Sequence, residues 1–477
     1  MIEAALALLR LFLGLGAVAL LGYALVGCLA PQPREFSLAE RASCGFGAGA
    51  LLLTLWMLAL TWWGLSFGLA LILGPLMALA GALLITSRGR GALAADWQAL
   101  GSRRRGLRGW DWLLAALLAA IFLFAGLRAT LYPMWAWDEI ATWGCKAKVF
   151  YASRGVDFTC LEAHNYYPNL IPLLLSYLYF CLGEVNDHLV KLIFPVWGAL
   201  LLTLLHSLAL RLGLTRRFAL GLAAFLALNG TVFIVHLYIA YADLALAYFT
   251  LGAAGLIYLW LKDAAPRGSL ALAALMLAGM AWSKYEGPPL AATVILAAAL
   301  TLVWLRPPGW LGRLGKLSLP LAGLAAGYLP WRLFASSQNL EFGSDHIQSF
   351  YPDQLLAAVS YLCQTLLQPY YFGLLWPALL LALIFSGRRL WSSPRLFLAL
   401  FIGGNLLAIL LAYSLAPTST AEFPRYVQAT LDRLLLHIAP VALLLVGVAW
   451  RDLAEKPCRR SPEDLGAGVI EAGAPKS

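Results

Sequence analysis

The residues able to do chemistry lie in a few short stretches between long apolar runs. Trp135-Ala136-Trp137-Asp138-Glu139 sets two adjacent carboxylates among tryptophans, and Trp143-Gly144-Cys145-Lys146-Ala147-Lys148 follows. Lys146 is about two helical turns beyond Asp138, so the two share roughly one face. His164-Asn165-Tyr166-Tyr167-Pro168 comes next, then a lone Asp243, then Lys284-Tyr285-Glu286-Gly287, and last Arg425-Tyr426. A carboxylate in a partly desolvated pocket can act as a general base, and a nearby ammonium or guanidinium stabilises negative charge on a leaving group. Plainer roles stay open. Asp138 and Glu139 suit a helix start as N-cap and dipole partner, the lysines suit snorkelling to lipid phosphates, and Arg425 suits a headgroup anchor. Lys284 and Glu286 together exceed what a two-helix turn needs, and ionisable groups at membrane depth face an interior or a wet cavity.

The elements that must position these residues are set by composition. Of 477 residues, 61% are hydrophobic and 12% charged, about half the charge density of a soluble domain. That excludes a soluble enzyme, a disordered chain and a nucleic-acid-binding module, despite a net charge of +10. The sequence predicts an all-α polytopic membrane protein of about thirteen spans. They lie near 4–29, 44–63, 65–86, 111–131, 190–212, 217–236, 241–262, 268–283, 287–305, 317–335, 371–386, 395–415 and 430–450. Short loops rich in Lys and Arg stay cytoplasmic. The markers are Arg88, Arg90, Arg103, Arg104, Arg105 and Arg108, then Arg211, Arg216 and Arg217, Lys262 with Arg267, and Arg306, Arg313 and Lys316. Arg388, Arg389, Arg395 and finally Arg451 complete the set. All share one side only if the apolar stretch 169–182 does not cross, so it is expected to be a re-entrant or interfacial helix. The loop 132–187 then faces outward with the smaller loops 336–370 and 416–429. Leu25-Val26-Gly27-Cys28 has the look of a lipoprotein cleavage box, but Glu3, the lack of an early basic run and Arg10 favour a retained first span. The scattered cysteines signal no zinc or redox motif. A Cys145–Cys160 bridge is open, with free thiols the simpler reading.

Taken in order, these motifs resemble the GT-C superfamily of membrane glycosyltransferases, which includes protein O-mannosyltransferases and bacterial aminoarabinose transferases. The resemblance covers roughly 111–450. It rests on Asp138-Glu139, the Tyr-Pro-x-Leu-x-Pro element at 167–172, Asp243 in Ala-Asp-Leu-Ala, Lys284-x-Glu286-Gly287 and Arg425-Tyr426. Bacterial members with a Trp-Asp…Trp-x-x-Lys-Ala loop and a Lys-x-Glu-Gly turn look most similar. Two features depart from the pattern: an Arg common shortly after the acidic pair is replaced by Ile140-Ala141-Thr142, and the spans before 111 lie outside the common core.

The resemblance implies an inverting transfer of a sugar from a polyprenyl phosphate such as undecaprenyl phosphate, reached laterally from the bilayer. The acceptor would be an envelope glycan, lipid or protein, in a bacterial inner membrane with the site facing the periplasm and the C-terminus cytoplasmic. The expected organisation is N-terminal helices with a basic loop over 1–110, a catalytic core over 111–335, C-terminal helices over 336–450 and a tail over 451–477. In this reading Asp138 is the general base and Glu139 orients acceptor or sugar. Lys284, with Lys146, Arg425 and Lys148, holds the donor phosphate. Glu286, Asp243, His164, Tyr167 and Tyr426 contact sugar or acceptor. No cofactor is required. A divalent ion on Asp138, Glu139 and His164 is conceivable, but their spacing specifies no site. The competing reading is a flippase for lipid-linked sugars, which would carry repeat symmetry and broken helices at the midplane.

Overall fold

The protein was analysed as a computed structural model, which describes residues 2–102, 109–340, 349–419 and 421–454. Arg103, Arg104, Arg105 and Arg108, part of the loop 336–370 and most of the expected tail lie outside the described residues.

Helices dominate the described residues. The chain opens with α1 (Ile2–Leu29), α2 (Leu38–Trp62), α3 (Leu69–Ile85), α4 (Ser87–Ser102) and α5 (Trp110–Leu131). Short elements α6 (Gly144–Ser153) and α7 (Leu170–Leu182) occupy the first large loop. Then come α8 (Ile193–Arg211), α9 (Arg216–Ala227), α10 (Asp243–Leu261), α11 (Ser269–Ser283) and α12 (Gly287–Leu305). The chain continues through α13 (Trp310–Lys316), α14 (Ser318–Ser337), α15 (Pro352–Leu367), α16 (Pro369–Phe372), α17 (Leu375–Ser386), α18 (Arg388–Trp391), α19 (Arg395–Leu415) and α20 (Phe423–Ala454).

Among the described residues eight helices are long and apolar enough to cross a membrane, or nine if the bent pair α3–α4 counts as one span. By length and composition the expectation of about thirteen is therefore not confirmed. Hydropathy ignores local breaks. The run 217–236 divides after Ala227, where α9 gives way at Leu228-Asn229 to a π-helical turn, and α17 begins only at Leu375. Helix α11 stops at Ser283 after 15 residues, α3 is short and holds Pro75, and α14 carries Pro330 and Arg332.

Helix α7 has 13 residues, about 20 Å at 1.5 Å each. It does not lie exposed at an interface. Almost all of it is buried, packed on α6, α1 and α2. Just beyond it Asp187 accepts hydrogen bonds from Tyr179 at 2.8 Å and from Lys148, on α6, at 2.6 Å. The chain thus returns to the side it left, as the positive-charge pattern requires. At the other end the basic loops gather: Arg211 grips Glu40, Arg267 lies 4.0 Å from Glu35, and Arg395 and Arg451 share Asp452. All six described cysteines are free thiols, and α1 runs unbroken through Cys28.

The N-terminal helices are joined tightly to the rest. The Trp282 indole donates to Thr54 at 2.8 Å, Tyr177 donates to the Gly14 carbonyl at 2.9 Å, and the Val156 N–H donates to Thr61 at 3.1 Å. Helices α1 and α2 approach backbone to backbone through Gly22, Gly45 and Gly49, the small-residue contact that substitutes for hydrophobic drive inside lipid. A methyl group at Gly22 would land on the Gly45 carbonyl. Gly22→Ala is expected to destabilise the fold by about 1–3 kcal/mol, read as a lowered melting temperature of the detergent-purified protein.

Candidate functional site

The site forms where three helices begin or end. Helix α10 starts at Asp243, whose carboxylate faces the positive end of the helix dipole. Helix α11 ends at Ser283, and Lys284 leaves it in extended conformation. Helix α12 starts after Glu286, with Pro288 and Pro289 preset for a first turn. The turn between them is tight: a side chain at Gly287 would strike the Met280 carbonyl, so the close approach requires glycine there.

Asp243 is fully buried and meets four ionisable side chains. Its Oδ1 receives Lys284 Nζ at 2.8 Å and His437 Nε2 at 2.9 Å. Its Oδ2 receives the Arg433 guanidinium through Nη2 at 2.9 Å and Nε at 3.2 Å. Arg433 Nη2 also reaches Asp138 Oδ2 at 2.7 Å, and Lys284 Nζ reaches Glu286 Oε1 at 3.0 Å. The Arg433 guanidinium rests on the Tyr241 ring, 4.5 Å from its centroid, a further favourable contact for a partly desolvated cation. His236 Nε2 stands 3.9 Å from Asp243 Oδ2. The result is a chain of alternating charge, Asp138–Arg433–Asp243–Lys284–Glu286. Desolvation raises the proton affinity of Glu286, but the charge and hydrogen bond of Lys284 together with His437 outweigh it and hold the group below the usual carboxylate range.

An aromatic wall stands beside this chain. The Tyr167 and Tyr285 rings stack at 6.0 Å with a 5° interplanar angle, and Tyr166 meets Tyr285 edge-on at 5.0 Å. His164 stacks on Tyr167 at 4.9 Å, and Trp143 lies 5.6 Å from Tyr167. Burial and the Glu286 charge push the Tyr166 phenol up to about 12, and burial lowers His164 against the pull of Asp138. His164 sits in the left-handed region at φ 49°. Its carbonyl accepts a 2.6 Å bond from Lys146, which is wholly buried.

The sequence expectations sort clearly against this geometry. Asp138, Asp243, Lys284 and Glu286 meet in one network, with His164 and Tyr167 in the adjoining wall. Lys146 braces that wall from beneath. Glu139 is turned away: its carboxylate accepts the N–H groups of Trp135 at 2.9 Å, Ala136 at 2.8 Å and Ala240. Both oxygens are thereby committed to backbone, so Glu139 shapes the loop and is not available to orient a substrate. The trio Asp138, Glu139 and His164 is not assembled for a metal, and among the described residues no group of three His, Cys, Asp or Glu is so arranged. Lys148 is engaged with Asp187. Arg425 is exposed, and Tyr426, also exposed, packs edge-on against Tyr413. The arginine of the network is Arg433, two turns further along α20, with His437 one turn beyond it. Both were missed. The signal was present as Asp432-Arg433 and His437 inside the apolar flank of the last span, where ionisable residues mark function.

No protein-family profile and no curated protein sequence matches the chain. Two solved structures do: ArnT from Cupriavidus metallidurans in the apo state and bound to undecaprenyl phosphate. Each has a TM-score of 0.50 and 17% identity. They cover 75% and 76% of this chain, which spans 61% and 62% of theirs. Over about three quarters of its length the chain therefore shares the fold of these two structures.

Asp243→Asn would leave Lys284 and Arg433 buried beside a neutral amide. A cost of about 3–5 kcal/mol is expected from breaking such a buried network, measurable as lost resistance to chemical denaturation. Lys146 gives a pH dependence. Burial brings its ammonium down from 10.5 to about 7, so between those values the unfolded chain binds the extra proton and stability rises with pH. Lys146→Met should melt a few degrees higher than wild type at pH 6, with a flatter profile between pH 7 and 10.

Proposed function

We propose that the chain is a membrane glycosyltransferase that takes a sugar from a polyprenyl-phosphate donor and passes it to an acceptor hydroxyl at the outer face. The observation that carries this reading is the pairing of Asp138 with Arg433 at one end of a network of alternating charge, beside a wall of stacked aromatic rings. Inversion at the sugar carbon needs a base for the acceptor proton and cations for the departing phosphate. Asp138, a fifth exposed, is the only carboxylate of the Asp138–Arg433–Asp243 segment open to an incoming hydroxyl, and Arg433 fixes its orientation. As the acceptor oxygen forms the new glycosidic bond, its proton passes to Asp138. The bond to the phosphate oxygen breaks with its electron pair retained on the lipid phosphate. Lys284 and Arg433 stabilise that charge, Arg433 taking the role first given to Arg425. Glu286 and the rings of Tyr167, Tyr285 and His164 hold the sugar. The reaction so written requires no cofactor.

The bound lipid in one ArnT structure agrees with a polyprenyl-phosphate ligand. Transport is the weaker reading, because Asp243 and Lys284 meet at helix ends rather than midway along a span.

The test is to supply purified protein with polyprenyl-phosphate sugars and candidate acceptors and to measure release of free polyprenyl phosphate. Asp138→Asn is expected to lower turnover by about 10²–10⁴ while its melting temperature stays near that of wild type. Turnover unchanged in Asp138→Asn would remove it from the site. Donor binding without release, equal in both proteins, would favour transport.

A further inference from the structure

Helix α4 lies at the opposite end of the bundle from the site. Helix α10 runs 19 residues from Asp243, about 28 Å, to the end where Glu40, Arg211 and Arg267 gather. Helix α1 reaches that end at Leu29, whose carbonyl adjoins Gly268 at the start of α11. There α4 breaks from α3 at 77°.

One face of α4 is fixed to the protein. Asp96 is buried against Arg41, which binds it through two nitrogens, and accepts the Tyr23 hydroxyl at 2.7 Å. Gly89 and Ala92 share that buried face. The adjoining face is apolar yet exposed: Leu93 at 44%, Trp97 at 80% and Leu100 at 54%. At 100° per residue the three fall within about 60° of one another. Arg90 continues the stripe and Arg88 lies in the same first turn, both exposed. Trp110 and Trp112, at the start of the span α5, are exposed as well, and Trp prefers the headgroup level.

We infer that α4 is an in-plane membrane helix, its Leu93–Trp97–Leu100 stripe set into the leaflet remote from the site and its Arg88 and Arg90 recognising anionic phospholipid headgroups. The occupant is lipid because α4 is joined directly to α3 and followed by the span α5, which fixes its depth at the bilayer surface. An amphipathic helix with basic flanks binds such a surface by burial and charge together. The inference is independent of the proposed reaction.

The test uses the full chain with Cys160, Cys363 and Cys458 replaced by serine and a fluorescent NBD label on Trp97→Cys or Gln98→Cys. The protein is reconstituted in phosphatidylcholine–phosphatidylglycerol vesicles carrying a headgroup nitroxide on one lipid or the other. Quenching at 97 should exceed that at 98 by about twofold or more, and nitroxide on phosphatidylglycerol should quench more than on phosphatidylcholine. Arg88→Gln with Arg90→Gln should abolish that lipid preference. If Trp97→Cys does not fold, Leu93→Cys carries the label. Equal access of iodide to positions 97 and 98, or equal quenching by the two lipids, would overturn the inference.

Discussion

A single buried carboxylate holds the candidate site together. Asp243 has no exposure to water, so its charge persists only because Lys284, Arg433 and His437 surround it. Those partners come from two other elements, the α11–α12 turn and α20, while Arg433 extends the contact to Asp138 in the first loop. The alignment of four distant segments therefore depends on one side chain. Helix geometry prepares the arrangement: α10 begins at the carboxylate, and α11 ends at the lysine that meets it.

The first loop is held by a second device. Glu139 ties the backbone at 135–136 to the backbone at Ala240, three residues before Asp243. The loop that carries Asp138 and the strut that carries Asp243 are thus positioned relative to each other before either meets a cation. Lys146 performs a comparable task for the aromatic wall, holding the left-handed turn at His164 from within the protein. In each case a charged side chain serves the backbone.

Much of the site was legible because apolar runs make ionisable residues conspicuous. Asp243, Lys284 and Glu286 stood out as charges where a span begins or a turn interrupts two spans, and their meeting followed from topology. Asp138 and Glu139 could not be told apart, because adjacent carboxylates differ only in which way the turn points them. Arg433 and His437 were hidden by context, reading as the polar flank of a long apolar helix while Arg425-Tyr426 drew attention nearer its start. The helix count differs from the span count for a related reason. Average hydropathy passes over Leu228-Asn229 without registering that the helix gives way there. The 77° bend before α4 was equally invisible, because Thr86-Ser87 carries no proline or glycine to announce it.

The alternating order Asp138–Arg433–Asp243–Lys284–Glu286 has a consequence for any anion that arrives. Neither Arg433 nor Lys284 is an idle cation; each already has a carboxylate on either side. A phosphate entering the network must exchange places with a resident partner, so the net gain is the difference between two similar contacts. Such a site grips an anion weakly for the charge it displays and lets it go readily, because the displaced carboxylates stand ready to close behind it. Toward such an anion the carboxylates would act as a tethered competitor.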